Sequence, residues 1–278
     1  MHEFANKTVV ITGASAGVGA ACARTFAASG ANLVLAARGA RALEAMVDEL
    51  SSQTQVIGVP TDVAYIAQCD SLLAQADAKF GKIHVLVNNA GMHRRGVIEA
   101  VDARAIAQMA DVNIRAPMYL SAAVLPSMRR AGEGAIVMVG SLAGMAPLAG
   151  AATYSGTKSG LRAFAFAIAD ELRDSGIQVG VVSPGPIETG FIMDDMDAVE
   201  DIVFSQPMST AVEVAEAVMM LARGPRNEIA MPVASGMLTL ISYLFPALRR
   251  LLRPALYAKG KKNKAKYKQL RMPAEIGE

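Results

Sequence analysis

Residues 8–19 read TVVITGASAGVG. A β-branched run of five ends at Thr12, and glycines follow at 13, 17 and 19. The run has strand composition. The Ala-rich stretch behind it, to about residue 29, carries apolar residues at helical spacing. A strand, a glycine turn and a helix in that order form the opening of a parallel α/β unit. Glycine lets a ligand come close to the backbone, and the helix N-terminus offers N–H groups and partial positive charge. The loop Gly13, Ser15, Ala16, Gly17, Val18 and Gly19 is therefore a candidate pyrophosphate cradle. Its spacing, G-x-x-x-G-x-G, is weak evidence alone, because an ordinary tight turn gives the same pattern.

The same alternation continues down the chain. Strand-like runs fall at 32–37, 55–59, 84–88, 135–140, 178–183 and 228–232, with helical patterns at 17–29, 41–52, 64–79, 102–130, 154–174 and 211–222. Continuous apolar strands between amphipathic helices specify an α/β fold, a doubly wound parallel sheet of about seven strands. Gly30 should end the first helix, and Thr210 with Glu213 forms a capping box before residue 211. The 278 residues are divided into a domain over 1–235 and a basic amphipathic arm over 236–278.

The chain is 53% hydrophobic and only 5% aromatic, so the core must rest on Ala, Val, Ile, Leu and Met. Cys22 and Cys69 lack metal spacing and suit a reducing, cytoplasmic setting. His2, His84 and His93 are too scattered for a zinc site. Two uncharged runs, 134–157 and 229–248, are broken by Gly or Pro and are expected not to span a membrane. Residues 229–274 contain ten Lys or Arg and no acid. No aromatic platform accompanies that charge, so nucleic acid is not an expected partner.

Arg38 follows the second strand, where a ribose-binding acid is usual in dinucleotide folds. An arginine there suits a 2′-phosphate, which favours NADP over NAD; Arg41 is a second candidate contact. Asp62 and Val63, after the third strand, are candidate adenine contacts. Tyr154 and Lys158 stand four positions apart, one helical turn, at the end of the uncharged run. A nearby ammonium favours the phenolate, and lowering the phenol by about 2 pKa units takes roughly 2.7 kcal/mol.

Taken together, T12-G-A-S-A-G-V-G19, N88-N-A-G91, Asn113, Ser141, Tyr154-x-x-x-Lys158 and Pro184-Gly185 leading to Thr189 resemble the short-chain dehydrogenase/reductase family, over about residues 7–232. The resemblance implies a nicotinamide cofactor and a catalytic set of Asn113, Ser141, Tyr154 and Lys158. Tyr154 would be the general acid/base, Lys158 would also hold the nicotinamide ribose, and Asn113 would hold a water. Asn88, Asn89, Ala90 and Gly91 would line the cofactor site with Pro184 and Gly185, and Ile187 and Thr189 would hold the carboxamide. It also implies a homodimer or homotetramer built on the two long helices. His84 departs from the family's usual Asp and is read as structural.

The expected reaction interconverts a secondary alcohol and a ketone with NADP, on a hydrophobic, steroid-like or acyl-lipid-like substrate. The alternative is a non-catalytic nucleotide-sensing or scaffold protein. Substrate contacts are expected from Ser141, Leu142, Leu148, Tyr154 and Met193, while His93-Arg94-Arg95 is read as a solvated loop, with contact to an anionic group as the other reading. Two arrangements suit the arm, whose Pro246 and Pro254 should kink or divide it. In one it packs over the active site or a partner subunit, with a disordered lysine tail. In the other it lies on a membrane surface.

Overall fold

Seven parallel strands build the frame: β1 (Thr8–Thr12), β2 (Asn32–Ala37), β3 (Val56–Pro60), β4 (Val85–Asn88), β5 (Gly134–Val139), β6 (Ile177–Pro184) and β7 (Glu228–Met231). The computed structural model describes residues 3–271. His2 and the last seven residues of the arm lie outside the described residues. The sheet order is β3-β2-β1-β4-β5-β6-β7. The chain winds outward from β1 in one direction, then returns to β4 and winds the other way. The carboxyl ends of β1 and β4 therefore part at a topological switch point, where open α/β sheets bind ligands.

Alternation along each strand sends side chains to two separate cores. Val9, Ile11, Leu33 and Leu35 point to one, under α1 (Gly17–Ala28), α2 (Ala40–Leu50) and α8 (Ala211–Ala222). Val10, Val34, Leu86 and Ile136 point to the other, under α3 (Ile66–Phe80), α5 (Ala116–Ala131) and α6 (Ala152–Glu171). Gly30 takes a positive φ beyond α1, and the Thr210–Glu213 capping box opens α8. Cys22 and Cys69 are buried, and desolvation pushes their thiols up to about 12 and 11. The His84 Nδ1 accepts the Thr8 N–H, a structural role.

The helix expected over 102–130 is three pieces: α4 (Ala103–Ala110), a π-helical turn (Asp111–Arg115) and α5. Pro117 is the cause legible afterwards, since it has no N–H to offer the Asn113 carbonyl four residues back. The Ala116 N–H bonds instead to the Asp111 carbonyl, five residues back.

After β6 a lid carries the short helix α7 (Gly190–Met193) and two 3-10 turns (Met196–Ala198 and Asp201–Ser205). Met193, Met196, Val199 and Phe204 form its own small core, and Tyr267 packs against it. The arm forms α9 (Val233–Leu244) and α10 (Pro246–Arg271). Pro246 separates the two, as expected, but Pro254 lies within a continuous α10. The lysines are not a tail: Lys264 pairs with Asp201, Lys268 with Asp197, and Asn263 donates to the Phe204 carbonyl. α10 comes so close that a Cβ on Gly260 would overlap the Asp201 carbonyl oxygen. Among the described residues no helix is long and apolar enough to cross a membrane.

Replacing Gly260 by Val should therefore release α10 from the lid at a cost of about 1–3 kcal/mol, the usual range for overpacking. Limited trypsin digestion is expected to cut the variant faster at the lysines between 259 and 268, with far-UV circular dichroism of the body unchanged. Equal cutting of both proteins would mean that α10 does not depend on this contact.

Candidate active site

At the switch point the first turn is welded shut by backbone. A Cβ on Gly19 would overlap the Gly13 carbonyl, so helix α1 can start this close to β1 only with glycine there. Thr12 and Asn89 clasp the two sides of the crevice. The Thr12 hydroxyl accepts the N–H groups of Asn89 and Ala90, both at 3.0 Å. The Asn89 amide donates to the carbonyls of Thr12 (2.8 Å) and Gly13 (3.1 Å).

A cavity of about 1570 Å³ opens from this clasp. Gly13, Ser15, Ala16, Gly17 and Val18 line one end, whereas Gly19 is spent on the turn itself. Ala16, the residue before α1, makes no side-chain cap to the helix, so the first-turn N–H groups are left for an anion. Arg38, Asp62 and Val63 line the same end, but Arg41 does not. One Asp62 carboxylate oxygen accepts the Ala64 N–H, the turn role open to any Asp in this position. Asn89, Ala90 and Gly91 line the middle, with Pro184, Gly185, Ile187 and Thr189 opposite, and Asn88 is buried beneath. A glycine-rich cradle, an uncapped helix end and an arginine at the ribose position fit a nicotinamide dinucleotide.

Ser141, Leu142, Leu148, Tyr154 and Lys158 line the inner wall. The Lys158 Nζ donates to the Val139 carbonyl at 2.7 Å, and burial brings its pKa down to about 8. Burial also raises the Tyr154 phenol above its ordinary value, against a Ser141 hydrogen bond and the charge of Arg95. This corrects one expectation, a phenol brought down by its cationic neighbour: burial outweighs the Ser141 hydrogen bond and the Arg95 charge. The Lys158 ammonium lies over the Tyr154 ring, 5.8 Å from its centroid, while donating to the Val139 carbonyl. Asn113 is buried behind the wall; its amide bonds both the N–H and the carbonyl of Met92, and it donates to Thr157. A Cβ on Gly91 would come 3.5 Å from the Asn113 oxygen and 3.7 Å from Lys158 Nζ. The four catalytic candidates thus surround one small volume, with Asn113 as its support.

Two more corrections concern the outer wall. Met193 does not line the cavity; it belongs to the lid's core. His93 and Arg95 do not form a solvated loop. The imidazole stacks on Tyr154 at 4.3 Å, and burial with the Arg95 charge takes its pKa down to about 4. Arg95 donates to the Phe191 carbonyl at 2.6 Å and lies over the Phe191 ring. The cavity then continues to the arm, where Leu238, Tyr243, Arg249, Arg250, Arg253 and Tyr257 line it. These residues gave no sequence signal beyond helical periodicity and charge. Among the described residues no cluster of acidic, His or Cys side chains could hold a metal.

The sequence matches the family model described as short chain dehydrogenase over residues 7–199. It is 34% identical over 226 residues to the 3-oxoacyl-[acyl-carrier-protein] reductase FabG of Escherichia coli, covering 79% of this chain and 91% of that one. The ketoacyl reductase HetN of a Nostoc species is 34% identical over 221 residues, covering 78% and 77%. Dehydrogenase/reductase SDR family member 7B of Bos taurus is 33% identical over 269 residues, covering 91% and 79%. A crystal structure of a short-chain type dehydrogenase/reductase from Mycobacterium marinum superimposes with a TM-score of 0.75 at 25% identity, covering 82% of this chain and 95% of that one.

The stacked His93 makes stability pH-dependent. The unfolded chain takes up a proton at this residue as pH falls below about 6.5, whereas the folded one does so only near 4. Stability is therefore lost across that window and the loss levels off below it. Replacing His93 by Phe keeps a stacked ring without the titration. The variant should lose less melting temperature than the parent between pH 7 and pH 5, and identical losses would contradict the assignment.

Proposed function

The chain belongs to the short-chain dehydrogenase/reductase family, and we propose that it is an NADPH-dependent reductase of a hydrophobic ketone. The observation that carries this reading is the placing of the half-buried Tyr154 beside Ser141 in the same cavity that Arg38 lines at the cofactor end. A phenol held above its ordinary pKa is protonated at neutral pH, which is the form that reduction consumes.

Gly13 to Val18 and the start of α1 would hold the pyrophosphate, Arg38 the 2′-phosphate, Lys158 the nicotinamide ribose, and Ile187 with Thr189 the carboxamide. The bound dihydronicotinamide supplies a hydride. Ser141 hydrogen-bonds the substrate oxygen and sets it beside Tyr154. The Tyr154 hydroxyl gives that oxygen its proton as the carbonyl carbon becomes tetrahedral. With a pKa near 8, Lys158 keeps its charge at neutral pH and loses it in mildly alkaline solution. Asn113 fixes the Met92 loop, and with it the floor between Gly91 and Lys158. Apolar walls at Leu142, Leu148, Ile202 and Val203 favour a bulky hydrocarbon beside the carbonyl. The FabG and HetN relatives are described as reductases of oxoacyl or ketoacyl groups, which supports an acyl substrate.

NADPH oxidation over a panel of ketones is the direct test. Tyr154→Phe should lower kcat by about 10²–10⁴-fold with NADPH affinity retained. Turnover by the parent should decline above about pH 8, as Lys158 deprotonates. A fully active Tyr154→Phe would end the acid/base assignment.

Cofactor choice has its own measurement. Charge-assisted hydrogen bonds are worth about 1.5–3 kcal/mol. Fluorescence titration should therefore show NADPH bound at least about 10-fold tighter than NADH, a preference that Arg38→Ala removes. Equal binding of the two by the parent protein would remove Arg38 from the cofactor site.

A further inference from the structure

The cavity is larger than the roughly 300–1,000 Å³ of ordinary small-molecule sites, and its charges are one-sided. Six cations line it: Arg38, Arg95, Lys158, Arg249, Arg250 and Arg253. Among the described residues two carboxylates do, Asp62 at the cofactor end and Asp194 on the lid. Arg38 and Lys158 are accounted for by a dinucleotide. The three α10 arginines are not, since they enter from the arm, beyond the catalytic wall. Among the described residues none of the three forms an ion pair with a carboxylate. Arg253 donates to the Tyr257 hydroxyl at 3.4 Å and lies over its ring, and the Glu200 carboxylate, which accepts from that hydroxyl, acts on Arg253 from a distance without an ion pair. Leu142, Leu148, Ile202, Val203, Leu238 and Leu252 give the outer chamber apolar lining, interrupted by Ser205, Gln206, Thr239 and Ser242.

We propose that this outer chamber binds an anionic amphiphile, with its carbonyl at Ser141 and Tyr154, its hydrocarbon chain along the leucines, and a phosphate or carboxylate head held by Arg249, Arg250 and Arg253. The inference rests on the reductase reading and narrows its substrate class. Guanidinium groups pair two N–H donors with the two oxygens of such a head, which a lysine cannot do. The arm thereby becomes a specificity element: α10 closes the lid through Gly260 and Lys264, and brings the head-binding arginines to the cavity about two to three turns before Gly260.

The test uses the full chain and needs no turnover, so it fails separately from the reductase reading. Below their micellar concentrations, decyl phosphate, decanoate, decanol and decyltrimethylammonium are titrated by calorimetry. Both anions should bind at least 10-fold tighter than decanol, with decyltrimethylammonium weakest; the tighter anion identifies the head group. The triple variant Arg249→Ala, Arg250→Ala, Arg253→Ala should bring the anions to the level of decanol while NADPH affinity stays within 2-fold. Alanine suits a helix, so α10 should persist, which circular dichroism checks. Decanol binding as tightly as the anions would overturn the proposal, as would anion binding unchanged in the variant. A variant that loses NADPH affinity instead would assign the arginines to the cofactor, and overturns it too.

Discussion

Everything in this molecule depends on how closely two pieces of backbone approach at the end of β1. The Gly13 carbonyl and the Asn89 side-chain amide occupy the space that a side chain on Gly19 would need. That contact brings the helix end to the edge of the sheet, where its unmatched N–H groups face the crevice. The Thr12 and Asn89 hydrogen bonds then hold β1 and the segment after β4 at a fixed separation. These polar groups would be costly to bury unpaired. Paired as they are, they make the crevice rigid before any ligand arrives.

Burial does the second part of the work. It moves the phenol and the ammonium in opposite directions on the pH scale and for the same reason, since each is pushed toward its neutral form. The site is thus set with a protonated acid and a cation that gives up its charge easily. Opposing influences come from short range, from Ser141 on one side of Tyr154 and Arg95 on the other. The stacked His93 stays neutral across the physiological range and adds no competing charge.

Much of this was legible in the sequence, because its causes are local. Strand runs, the glycine turn, the capping box at Thr210 and the one-turn spacing of Tyr154 and Lys158 are all written within a few residues. What escaped depends on distant segments meeting. The direction of the Lys158 ammonium follows from the Val139 carbonyl on a neighbouring strand. Met193 was expected to meet substrate, yet the lid folds on its own apolar residues and takes it inside. Arg95 and His93 gain their place from Phe191 and Tyr154, about 100 and 60 residues away. Pro117 did carry a local signal for the π-helical turn, and it was hidden because helical periodicity continues across it.

The arm also decides the electrical character of the surface. Residues 229–274 hold ten basic side chains and no acidic one, against seventeen basic and twenty-five acidic residues in the rest. The body is therefore an anion, and α10 is its tethered counter-ion, seated on Asp197 and Asp201. Added electrolyte screens such pairing, so the outer end of this seat weakens in brine while the tight backbone fit at Gly260 does not. The cover of the crevice is hinged, in effect, on one fastening that salt loosens and one that it leaves alone.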